Sequence, residues 1–118
     1  MNLTIDPDAA DPPYEQVRTQ IAALAADGTL AAGTKLPPVR HLATTLGLAA
    51  NTVARAYKEL EQAGLVETRG RLGTVVTARA TGTSRRAQAA AIAYAESTRA
   101  LGIPPDTALA LVKAALGI

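Results

Sequence analysis

The side chains able to do chemistry in this sequence are mostly arginines, and their spacing suits the binding of phosphate rather than the making of bonds. Between Glu67 and Glu96 there is no acidic residue, while Arg69, Arg71, Arg79, Arg85 and Arg86 fall inside that window. Five cations without a local counter-charge predict a cationic surface, which attracts polyanions. His41 is the only histidine and has no nucleophile beside it, so neither catalysis nor a histidine metal site is expected. No cysteine is present, which removes disulfides, thiolate nucleophiles and sulfur-ligated zinc. Asp6, Asp8 and Asp11 imitate the start of a calcium loop, but its glycine and distal glutamate are missing. The expectation is a protein without cofactor, metal or enzymatic activity.

A second pattern supplies a reading element beside those cations. Val39 to Lys58 reads VRHLATTLGLAANTVARAYK. A helix-turn-helix needs a small residue where its helices touch, a glycine at the turn four residues later, and a β-branched apolar residue six beyond that. Ala43, Gly47 and Val53 stand at those places. Leu42, Leu46, Leu48 and Ala56 then fill the wedge, so the second helix projects outward and leads with its first turn into a major groove. An ordinary helical hairpin shares this periodicity, but it leaves the next stretch of chain unexplained. Leu65 to Thr68 and Thr74 to Thr77 are β-branched runs joined by Arg69-Gly70-Arg71-Leu72-Gly73. They predict a hairpin with a flexible cationic tip, a wing able to reach phosphates or a narrow minor groove, with Gly70 and Gly73 letting backbone approach the sugar closely. The competing reading is a solvated turn whose arginines keep a sheet edge soluble.

The remaining elements frame these two. The chain has 118 residues, no Phe and no Trp, so its apolar share is mostly small side chains; packed helices are favoured and the core is thin. Leu3-Thr4-Ile5 reads as a possible short strand in a lead of residues 1–11. From Pro13, the residues Tyr14, Val17, Ile21 and Leu24 form an inward stripe that stops at Gly28. A connector from Thr29 to Lys35 leads to the second helix, which starts after Pro37-Pro38. Residues 79–83 read as a Thr/Gly/Ser linker, after which Ser84 caps a long alanine-rich helix ending near Leu101. A last helix runs from about Pro104-Pro105 to Leu116, with Asp106 and Lys113 favourably placed for its dipole. The fold class is therefore mainly α with a small β-hairpin wing: a winged helix-turn-helix domain over residues 12–78 and a two-helix dimerisation region over 84–118. In the latter, Ala91, Ile92, Ala95, Leu101, Leu109, Val112 and Leu116 make apolar stripes too small to enclose a ligand; they can bury each other and still leave a face for a second copy. Intramolecular packing of the tail on its own winged domain is the alternative. No apolar run approaches the ~20 residues of a membrane span. Met1 to Asp8 lacks the features of a secretory signal, so a soluble cytoplasmic protein is expected.

Pro13-Tyr14-Glu15-Gln16-Val17, Gly28, Gly33, Leu36-Pro37, Arg40, Leu42-Ala43, Leu46-Gly47, Asn51-Thr52-Val53, Ala56-Tyr57, Leu60-Glu61, Gly64-Leu65-Val66 and Gly73-Thr74-Val75-Val76 occur in an order that resembles the DNA-binding domain of GntR-family transcriptional regulators. The short tail is similar to that of the YtrA-type subfamily, whose members carry a helical dimerisation region in place of a large effector domain. The resemblance implies that Arg40 contacts DNA from the second helix, that Asn51, Thr52 and Arg55 lie on the first turns of the reading helix, and that Arg69, Gly70, Arg71 and Gly73 form the wing. Asn pairs with an adenine edge and Arg with guanine or phosphate, while Ala50 can touch a thymine methyl and Thr52 a phosphate. Pro38 and Ala49 stand where the family often has cap hydroxyls, and Ala54 where it often has arginine, so the first turn of the reading helix lacks a good cap.

The function these observations imply is a homodimeric, sequence-specific regulator, more a repressor than an activator, on an inverted-repeat operator in double-stranded DNA. Two other classes stay open: a winged-helix module that binds protein, and an architectural DNA binder without sequence preference.

Overall fold

A computed structural model describes residues 1–82 and 85–118. The chain divides into two compact units, Met1–Thr83 and Ser84–Ile118, and the expected Ser84 cap lies outside the described residues.

The first unit is built on three helices. α1 (Pro13–Ala26) opens with proline at a position where the missing N–H has no helical partner anyway. It buries Val17, Ile21 and Ala25. α2 (Val39–Leu46) ends at Gly47, whose φ of 69° is the left-handed conformation that a tight helix stop requires. α3 (Ala50–Gln62) buries Val53, Ala56, Tyr57 and Leu60. These side chains meet Leu36, Leu42, Ala43 and Val66 in a single cluster, against which Leu46 and Leu48 pack half-buried. The helix-turn-helix and its wedge are thus present, and Ala43 is the small residue at the buried contact between α2 and α3.

Neither α2 nor α3 has a side-chain cap, since Pro38 and Ala49 occupy the cap positions. The start of α2 is anchored from elsewhere: the buried Tyr57 hydroxyl donates 2.7 Å to the Pro37 carbonyl. Burial pushes the Tyr57 phenol up to about 12. The unfolded chain releases this proton near pH 10, so the hydroxyl's contribution is intact below pH 10 and is lost as pH rises towards 12. Tyr57→Phe is expected to cost about 1 kcal/mol at neutral pH and to flatten the alkaline loss of stability. Urea unfolding at pH 7 and pH 11 reads both effects; unchanged midpoints would show that the hydroxyl anchors nothing.

The wing is an antiparallel pair, β1 (Val66–Thr68) and β2 (Thr74–Val76), with Val66 opposite Val76 and Thr68 opposite Thr74. The connector before α2 is more than a loop: Leu36 N–H donates to the Thr74 carbonyl at 2.8 Å and Val76 N–H to the Thr34 carbonyl at 2.9 Å, with Lys35 bridged to Val75. It covers one edge of β2 for a few residues.

Three expectations need correction. Residues 79–81, expected as the start of the linker, belong to a short helix, α4 (Ala78–Thr81), capped by the Thr77 hydroxyl and packed against α1. The lead forms no strand; it runs into a turn after Asp6 and is clasped by amides of α1. The Gln20 amide accepts from Thr4 N–H and donates to Thr4 C=O, and the Gln16 amide accepts from Asp6 N–H and donates to Asp6 and Asp11 carbonyls. Leu3 and Ile5 thereby pack on the core. Tyr14, expected inward, lies half-buried outside the buried cluster.

The second unit pairs α5 (Arg85–Ala100) with α6 (Pro105–Leu116). The Tyr94 hydroxyl donates 2.8 Å to the Ala108 carbonyl. Thr98 is the buried residue of this unit among those described, its hydroxyl satisfied by the Tyr94 and Ala95 carbonyls. The apolar stripes do not bury each other: Ala91, Ile92, Ala95, Leu101, Leu109 and Leu116 are exposed, and Val112 is half-buried. Two short helices have too few residues between them to enclose alanines and leucines on every side. Leu111 and Ile118, not anticipated, are exposed as well. Among the described residues no helix is long and apolar enough to cross a membrane.

Candidate nucleic-acid interface

α3 presents a largely polar outer face because its larger apolar residues, Val53, Tyr57 and Leu60, turn inward together with Ala56. Ala50, Asn51, Ala54, Arg55 and Lys58 are exposed, and Thr52 is half-buried. Asn51 and Lys58 are seven residues apart, two turns along one stripe. Lys58 was missed in the sequence, although that seven-residue interval was a usable signal. Thr52 sits in the first turn, its N–H bonded to the Ala49 carbonyl at 3.1 Å.

The wing is fixed to this helix. The Thr68 hydroxyl donates 2.8 Å to Glu61 at the end of α3, and Leu65 N–H donates 2.9 Å to the Leu60 carbonyl. Its tip is more ordered than glycine content alone suggests. Gly70–Leu72 make a 3-10 turn, closed by Arg69 N–H on the Gly73 carbonyl at 2.8 Å and Leu72 N–H on the Arg69 carbonyl at 2.9 Å. The two glycines differ. Gly70 faces open space, so backbone approach is possible there, whereas a Cβ on Gly73 would meet the Lys35 side chain at 3.4 Å. Gly73 adopts φ 73° and ψ −145°, a region that only glycine populates readily.

The arginines of the acid-free window are spread over several elements of the chain. Arg69 and Arg71 are on the wing, Arg79 lies against Gly64, and Arg86 belongs to the second unit. Ion pairing separates them further. Arg69 is tied to Glu67, its Nε donating at 2.6 Å. Arg55 lies over the Tyr14 ring, 3.7 Å from its centroid, with its Nε 3.9 Å from Glu59. Glu59 also faces Arg18 at 3.7 Å, and Arg18 is bonded to Glu15, a hydrogen bond that holds the Glu15 carboxyl below its usual range. Arg40, Lys58 and Arg71 are exposed and carry no ion pair among the described residues. His41 is exposed next to Arg40. Among the described residues no cluster of His, Asp or Glu is arranged to hold a metal.

An exposed reading helix behind a glycine turn, followed by a wing whose Arg71 has no ion pair among the described residues, is equipped to bind a nucleic acid duplex. Comparison with known proteins agrees. The family described as "Bacterial regulatory proteins, gntR family" matches residues 13–76. The HTH-type transcriptional regulator Rv1152 of Mycobacterium tuberculosis is 49% identical over 107 residues, spanning 91% of this chain and 88% of that protein. The HTH-type transcriptional repressor YtrA of Bacillus subtilis is 47% identical over 76 residues, 64% of this chain and 58% of the repressor. Among solved structures, YtrA from Sulfolobus acidocaldarius, a GntR-family transcription factor, matches with a TM-score of 0.62 at 34% identity, covering 85% of this chain and 97% of that one. The chain therefore belongs to the GntR family of bacterial regulatory proteins, and is a winged-helix, DNA-binding transcriptional regulator similar to YtrA.

Proposed function

We propose that the chain acts in the cytoplasm as a homodimeric repressor that occupies an inverted-repeat operator and thereby keeps polymerase from a nearby promoter. The observation that carries the DNA-reading half is the exposed stripe of α3, followed in the chain by a wing whose Arg71 is exposed and has no ion pair among the described residues. In this reading Asn51 and Arg55 reach base edges, and Ala50 touches a thymine methyl. Arg40, Thr52, Arg71 and the backbone at Gly70 and Gly73 hold phosphate and sugar, with Lys58 added to that set. Arg69 joins when it exchanges Glu67 for a phosphate. The dimeric half rests on the tail, whose exposed leucines are suited to a second copy. A two-fold dimer then places its reading helices about 34 Å apart or at a multiple of that distance, which fixes the half-site spacing.

Selection of duplexes from a random library by the full chain, at fixed ionic strength, tests this. Enrichment of an inverted repeat is expected. Asn51→Ala should then lose about 1–3 kcal/mol of discrimination at one base pair in each half-site while leaving the salt dependence unchanged. Equal recovery of all sequences would mark an architectural binder, and no recovery at all a module that binds protein.

A further inference from the structure

Tyr14 stands apart from the rest of its helix stripe. It is half-buried, lies outside the core cluster, and carries on its ring the guanidinium of Arg55 from α3. We propose that Tyr14 is a positioning residue for base recognition, setting Arg55 in place before DNA arrives so that its outer N–H edge is presented to the duplex. The proposal rests on the reading that α3 enters the groove and that Arg55 touches DNA.

An arginine can be held in two ways. An ion pair occupies the in-plane N–H donors, the same donors that recognise guanine or phosphate. A ring under the cation engages it through the π-face and leaves those donors available. Arg55 shows the second arrangement, with Cζ 3.7 Å from the Tyr14 centroid and the Nε no closer than 3.9 Å to Glu59. Its side chain is still 60% exposed, so the terminal nitrogens face solvent in part. Glu59 has a second cation within reach, because Arg18 approaches it at 3.7 Å and is bonded to Glu15. Tyr14, Glu15 and Arg18 on α1 thus form a rack on which Glu59 and Arg55 of α3 are laid. A long side chain already laid down loses less rotamer freedom on binding than one that must be collected from solution. By contrast Arg69 is committed through its N–H donors to Glu67 and has to exchange partners before it can bind anything else.

The experiment uses the full chain and the duplex that the unaltered chain enriches from a random library, together with versions of it changed at one base pair at a time. Tyr14→Phe, Tyr14→Leu, Arg55→Ala and the Tyr14→Leu/Arg55→Ala double variant are compared by fluorescence anisotropy, with circular dichroism as the check on folding. Tyr14→Phe keeps the ring and should bind like the parent. Tyr14→Leu should lose about two- to tenfold, relax preference at the same base pair as Arg55→Ala, and add nothing to Arg55→Ala in the double variant. If Tyr14→Leu binds normally while Arg55→Ala loses preference, or if its loss is equal on every sequence and adds to that of Arg55→Ala, the positioning role is refuted. If Arg55→Ala keeps full preference while Asn51→Ala loses it, the role is refuted and the groove reading survives. If no sequence is enriched at all, the groove reading falls and takes this proposal with it.

Discussion

With Leu109 and Leu116 both changed to glutamate, the chain is expected to run as a monomer and to bind its operator about 10²- to 10⁴-fold more weakly. The cause is the exposure of the tail. Leu109 is 56% and Leu116 68% exposed, on a helix with no buried residue among those described. Exposed leucines on a hairpin of two short helices are in contact with water at a cost that a second copy would remove. Two carboxylates placed there would have to be desolvated if the copies still met, and they would repel their symmetry mates. Two winged units held together bind a two-site duplex with a high effective concentration for the second half-site; separated units forfeit that gain, which sets the size of the expected loss. Light scattering reads the mass, and anisotropy on the enriched duplex reads the affinity. A dimer that survives both charges would place the interface on another surface.

The largest effect on stability is expected at Leu60. It is 1% exposed near the end of α3, and its carbonyl also receives the Leu65 N–H that starts the wing. Leu60→Ala removes three carbon atoms from a site closed on all sides, and should cost about 2–5 kcal/mol. A domain of this size has only about 5–15 kcal/mol in total, so the wing and the reading helix would be lost in the same transition. Urea unfolding followed at the helical signal gives the value directly. A loss under about 1 kcal/mol, well below the range for a buried leucine, would show that the cluster closes over the gap.

The parts legible from sequence are those with a local cause. Gly47 announces a left-handed turn, Ala43 a close helix contact, and the flanking Leu42, Val53, Ala56 and Leu60 a common inner face. The wing was equally readable, since β-branched runs on either side of Gly70 and Gly73 leave few other conformations. What escaped is tertiary. That Tyr14 lies under Arg55 depends on how α1 is rotated against α3, which no periodicity in either helix encodes. The pairing of residues 33–36 with β2 is too short to show alternation. α4 was hidden by its glycine and threonine neighbours, although Thr77 followed by Ala-Arg-Ala was a readable cap and first turn. Five arginines without acids between them read as one cationic surface; Glu67, at the edge of the window, pairs with Arg69, which the acid-free run itself does not reveal.

The glutamine clasp on the amino-terminal segment has a consequence for how the molecule ages. Gln16 works there because an amide offers opposite polarities at its two tips, one for the Asp6 N–H and one for the Asp6 and Asp11 carbonyls. Hydrolysis of that amide to an acid would turn the second tip into a like-signed neighbour of both carbonyls and add a negative charge to a stretch already holding Asp6, Asp8 and Asp11. Storage chemistry at a single side chain would thus release the stretch from Asp6 to Asp11 while Gln20 still holds Thr4, with every residue of the reading helix chemically untouched.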